Sequence, residues 1–179
     1  MSVNKDRPHV LVLPEDDANL RLANGFHLEL DMNRYRQMQV LPVAGGWNEV
    51  LDLFKSQHVM AMDRWPKRFM ILLIDFDGHE DRLERARTVI PQHLSDRVFV
   101  LGALSEPEDL KPDLGSFESI GSRMAEDCRQ ETHGTWGHRL LRYNAGEPKR
   151  RPETPAQRPA AGQSPDHTTT ACAGFPGTP

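Results

Sequence analysis

Residues 69–77 read FMILLIDFD, the most apolar stretch of the chain, and it closes on two aspartates two positions apart. A short continuous apolar run fits a strand covered on both faces, as in a parallel sheet between helical layers. The flanking segments repeat the theme. Residues 9–14 (HVLVLP) read as a buried strand, followed by a helix over 16–31 that opens on Asp16 and Asp17. A second strand is expected over 37–43 (QMQVLPV), closed by Gly45-Gly46. A helix over 47–62 then sets Val50, Leu51, Phe54 and Val59 on one face. Further on, a charged helix over 79–90 turns Leu83, Ala86 and Ile90 inward, and a fourth strand covers 97–104 (RVFVLGAL). Two more helices read over 116–130 and 136–144. Strands alternating with helices at short spacing imply right-handed βαβ units. The expected fold is an open, doubly wound, mostly parallel four-stranded α/β sheet with helices on both faces.

That domain spans residues 1–145. From Gly146 to Pro179 the chain has no Leu, Ile, Val or Met and holds seven of the 14 prolines. Such a segment buries too little apolar surface to offset its ordering entropy, so 146–179 reads as a disordered Pro-rich tail. Its Lys149, Arg150 and Arg151 are a solvated cluster or a contact for an acidic protein partner. The net charge of −4 gives no bulk attraction to nucleic acid, which would need a local basic face or bridging metal ions. The first apolar run spans only residues 10–13, too short for a signal peptide or a membrane span. A cytoplasmic protein without a membrane partner is expected. Cys128 and Cys172 stand in unlike surroundings, which indicates neither a disulfide framework nor a zinc knuckle.

The acids carry the chemistry. In a doubly wound sheet, ligands bind beyond the carboxyl ends of the strands, where the strand order reverses. The first strand ends in Pro14-Glu15-Asp16-Asp17 and the third in Asp75-Phe76-Asp77-Gly78. With strands one and three as neighbours, these ends flank one crevice. Residues 75 and 77 are two apart, so on a strand both carboxylates project to the same side. Carboxylates crowded together raise one another's pKa unless a cation is present, and oxygen-only ligands suit Mg²⁺ or Mn²⁺. Asp16, Asp17 and Glu80 stand at helix starts, where acids serve as caps.

A Glu after the first strand and an apolar run into DxD after the third (ILLIDFD) resembles the Toprim domain, shared by topoisomerases, primase-type enzymes and a family of nucleases. The resemblance covers residues 9–104. It implies Glu15 as general acid or base, and Asp75, Asp77 and Glu15 around Mg²⁺ during phosphodiester cleavage or joining. Nucleic acid is then the implied partner. The Toprim Glu is often followed by Gly, whereas Asp16 follows here, so Asp16 and Asp17 stay open as further ligands. The chain is too short for a topoisomerase or a replicative primase, which leaves a small stand-alone nuclease-like protein. Segments PEDDAN, GGW, LIDFD and LSEPE also resemble a group of bacterial proteins, a resemblance that implies no activity.

Three rivals compete. VLPEDDANLR resembles the start of a response-regulator receiver, with Asp75 as phosphoacceptor and Ser105 and Lys111 completing the site; the six-residue spacing of the last two is too short for that family. IDFDG resembles the start of haloacid-dehalogenase-type phosphatases, which need Thr where His79 stands. An inactive interaction scaffold of the same fold is the third. Around the crevice, Arg82 and Lys111 are candidate phosphate contacts, and Glu106 and Glu108 candidate outer ligands. Gly45-Gly46 reads as a turn, and His133, His138 and Trp136 read as capping or packing residues.

Overall fold

The computed structural model describes residues 3–146, so the tail expected over 146–179 lies outside the described residues except for Gly146, which ends the segment Arg139–Gly146. Four strands form one all-parallel sheet in the order β2-β1-β3-β4. They are β1 (His9–Pro14), β2 (Met38–Val40), β3 (Arg68–Leu73) and β4 (Val98–Leu101). The expected α/β sheet is therefore present, with β1 and β3 neighbours in register from His9 against Arg68 to Pro14 against Leu73.

Alternation along the strands divides the core in two. Val10, Val12, Ile71, Leu73 and Phe99 face α1 (Asp17–Leu28) and α7 (Phe117–Gln130). Leu13, Met70, Leu72, Ile74, Val98 and Val100 face α3 (Trp47–Leu53), α4 (Val59–Arg64) and α5 (Glu80–Val89). Two short helices, α2 (Met32–Tyr35) and α6 (Lys111–Leu114), complete the chain order. Helices α3 and α4 are joined through a π-helical stretch, Phe54–His58, so the helix expected over 47–62 carries one wide turn in its middle. On the first face, α1 and α7 approach so closely that a Cβ on Gly121 would lie 2.0 Å from the Leu22 carbonyl oxygen.

A side chain from beyond α7 adds a rung to the sheet. Ile74 and Phe76 donate their N–H groups to Leu101 and Ala103, so residue 102 between those acceptors turns its peptide to the outer edge of β4. There the Asn144 carboxamide takes the place of a fifth strand: its Oδ1 accepts from Gly102 N at 3.0 Å and its Nδ2 donates to Gly102 O at 3.1 Å. Asn144 belongs to a 3₁₀ segment, Arg139–Gly146, where a regular helix over 136–144 was expected. Asp127, near the end of α7, organises the turn leading there by accepting from Thr132 Oγ1, Thr135 N and Trp136 N. Cys128 is disulfide-bonded, against expectation; Cys172 lies outside the described residues. Among the described residues no helix is long and apolar enough to cross a membrane.

Candidate acidic site

Beyond Pro14 the chain leaves the sheet, because Asp16 caps α1: its carboxylate accepts from Asn19 N at 2.9 Å. That departure strips β3 of its neighbour one residue too early. The N–H groups of Ile74 and Phe76 point to the β4 side, so the N–H of Asp75 points to the side β1 has vacated. Glu15 fills the place with its side chain, Oε2 accepting from Asp75 N at 2.8 Å. An unpaired buried N–H costs about 1–3 kcal/mol, so this bond gives Glu15 a holding task that occupies one of its two oxygens.

The Asp75 side chain lies on the α1 face and is 6% exposed. Both its carboxylate oxygens accept from Asn19 Nδ2 at 3.1 Å, and the same amide reaches Asp16 Oδ1 at 3.1 Å. Burial pushes the Asp75 carboxyl up to about 8; the Asn19 bond opposes this, and Glu15, Asp16 and Asp77 add to it. Burial also raises Glu15, opposed by the Asp75 N–H and reinforced by Asp16 and Asp77. At neutral pH Asp75 therefore carries a proton, which removes its own share of the repulsion among the acids in the absence of a cation.

Asp77 does not share a strand with Asp75. The strand expected over 69–77 stops at Leu73, and Asp77 sits in a turn at φ 46° with Gly78 at φ 70°. Aspartate tolerates that left-handed conformation better than most residues. Its carboxylate is 41% exposed and pairs with Arg82 Nη1 at 2.6 Å. The same Nη1 donates to Asp75 O at 2.9 Å, so Arg82 spans the turn. Arg82 and Arg85 both stand over the indole of Trp47, at 5.3 and 4.7 Å from its centre. Trp47 follows a turn tied to β1 by Ala44 N to Pro14 O at 3.0 Å and Gly45 N to Glu15 O at 2.8 Å.

The fold thus gathers Glu15, Asp16, Asp75 and Asp77 within electrostatic reach of one another. Among the described residues, no three His, Cys, Asp or Glu are arranged to hold a metal ion. The physical reason is local: Asp77 is turned onto Arg82, and Asp16 onto the start of α1. Asp17 is exposed and paired with Arg21 at 3.5 Å, as befits a first-turn acid. Glu80 opens α5, and its side chain lies outside what is described. Glu106 and Glu108 are exposed around the 3₁₀ turn Pro107–Leu110. Lys111 rests its ammonium 4.0 Å from the Phe117 ring, and the Ser105 hydroxyl is buried without a hydrogen-bond partner. Trp136 packs with its Nε1 on Met124 O at 3.0 Å, and His138 meets Asp113 at 3.1 Å.

Two residues escaped the sequence reading. Asn19 sits among Ala18, Leu22, Ala23 and Phe26 on the buried face of α1, and a carboxamide in an apolar stripe was the available signal. Trp47 was read only as a helix start. Below Asn19 an apolar cavity of about 50 Å³, lined by Val12, Leu73 and Trp136 among others, is far too small for a cofactor. No protein-family model matches the chain, nor does any curated protein or solved structure.

Proposed function

We propose that the acidic crevice performs Mg²⁺- or Mn²⁺-dependent phosphoryl chemistry on the phosphodiester backbone of nucleic acid, as a small Toprim-type nuclease would. The observation that carries this reading is the meeting of Glu15 and Asp75 at the adjacent carboxyl ends of β1 and β3, where parallel sheets bind their ligands. The donor set fits a hard cation, being all oxygen, and a proton retained by Asp75 to about pH 8 is one that a dication would displace. Asp75, Asp77 and Glu15 would hold the ion, with Asp77 exchanging Arg82 for it. When bound, the ion supplies neutralisation of phosphate charge. The remaining work falls to side chains. Glu15, held above the usual carboxylate range, takes or gives a proton at the oxygen not bonded to Asp75 N. Asn19 fixes the Asp75 carboxyl, and Arg82 is within reach to face a phosphate.

A second reading is favoured by the strand order, which receivers share. It makes Asp75 a phosphoacceptor, but a protonated, buried carboxyl is a poor nucleophile and Lys111 is engaged with Phe117. Calorimetric titration with Mn²⁺ should give heat with the wild type and none with Asp75→Asn; equal heats remove the metal site. Nicking of supercoiled DNA should fall at least about 100-fold in Glu15→Gln, which keeps an acceptor for Asp75 N. Unchanged nicking removes Glu15 from the chemistry, and no nicking by the wild type leaves a scaffold. A base-labile acyl phosphate after acetyl phosphate treatment establishes the receiver instead.

A further inference from the structure

The crevice is negative, so a phosphate group reaching it needs cations at the rim. The rim has two. Arg82 and Arg85 lie one turn apart on α5 and share the Trp47 indole, which confines both guanidiniums to one small neighbourhood. The ring packs partly against the core and is held two residues from a turn bonded to Glu15, so the platform is fixed relative to the acids. Stacking on an indole removes much of the arginine's freedom while leaving its edge N–H groups directed outward.

The two arginines differ in engagement. Arg82 is 17% exposed and tied to Asp77 and the Asp75 carbonyl. Arg85 is 61% exposed and makes a 3.8 Å pair with Asp81, itself 64% exposed. A pair of that kind is readily exchanged for a doubly bonded phosphate.

We infer that Trp47, Arg82 and Arg85 form a phosphate subsite on the rim of the acidic crevice, which grips a backbone phosphate of the nucleic-acid strand beside the reacting one. The identity of the ligand rests on the proposed function; the phosphate chemistry rests on the cluster alone. Arg85 makes the outer contact, Arg82 the inner one, and Trp47 positions both.

The test uses the full chain in EDTA, so that no metal site contributes. A fluorescein-labelled single strand of about 12 nucleotides is titrated by anisotropy at several salt concentrations. Arg85→Ala, a change at an exposed position, should bind roughly tenfold more weakly, and the slope of log K against log salt should shrink by about 0.7. Arg85→Lys should keep the slope and lose part of the affinity. Arg34→Ala, on α2, should match the wild type. In parallel, inorganic phosphate should raise the melting temperature of the wild type more than that of Arg85→Ala. Wild-type behaviour of Arg85→Ala in both assays overturns the subsite while leaving the metal site standing. An Arg85-dependent phosphate effect with no binding of the strand keeps the subsite and overturns nucleic acid as its ligand.

Discussion

The two ends of the sheet solve the burial of polar groups in opposite ways. At the amino end, His9 is fully buried and accepts from Arg68 Nε at 3.1 Å through Nε2, which leaves Nδ1 to donate to Arg7 O at 2.8 Å. Nearby, Arg97 Nη1 donates to the carbonyls of Met62 at 3.1 Å and Pro66 at 3.3 Å. Donors meet acceptors there. At the carboxyl end, acid meets acid, and Asp75 is tolerated only with a proton in place. Burial drives both shifts, holding His9 below its ordinary value and Asp75 above, since either ion loses its hydration. A polar cluster complete in itself suits architecture, whereas one whose four acids share the single counter-charge of Arg82 suits a visiting cation or substrate.

The largest expected effect lies at the carboxyl end. Asp75 is raised in the folded chain, so its stabilising contribution is full below 3.8 and is lost as pH climbs towards about 8. Metal-free stability should fall over that window by up to about 1.4 kcal/mol per pH unit. Urea midpoints measured across it should lose most of their slope in Asp75→Asn, with a smaller limb left by Glu15, and a slope unchanged by the substitution breaks the comparison. Next comes the amino end, with the opposite sign. His9 is depressed, so its contribution is present above 6.5 and lost as pH falls below that value. His9→Phe should lose about 2–3 kcal/mol at neutral pH by stranding Arg68 Nε, and should weaken the acid limb. The smallest change is at Asp16. Asp16→Ala should cost about 1 kcal/mol in thermal melts, and Asp16→Ser should restore it. Mn²⁺ heats that stay wild-type in both variants make Asp16 a cap alone.

Much of this was legible in the sequence. β1, β3 and β4 announced themselves as apolar runs, and alternation with helices fixed their parallel pairing. Strand ends were less legible, because hydrophobicity marks burial and not pairing. Ile74 and Phe76 are as buried as β3 itself, yet the ladder with β1 has already ended at Leu73. The same error carried Asp77 onto a strand, when Gly78 beside it was the turn signal. Asn144 was invisible for another reason. It acts as a substitute for a strand partner that only the three-dimensional arrangement defines.

Asn144 also sets an order of assembly. The rung it makes with Gly102 joins residues 42 apart in the chain, so it forms only when the far end of the domain has been synthesised. A nascent chain halted before Asn144 would display β4 with its outer edge unfinished at Gly102, open to another strand of the same kind. Synthesis through Asn144 is thus what gives Gly102 its partner on the outer edge of β4.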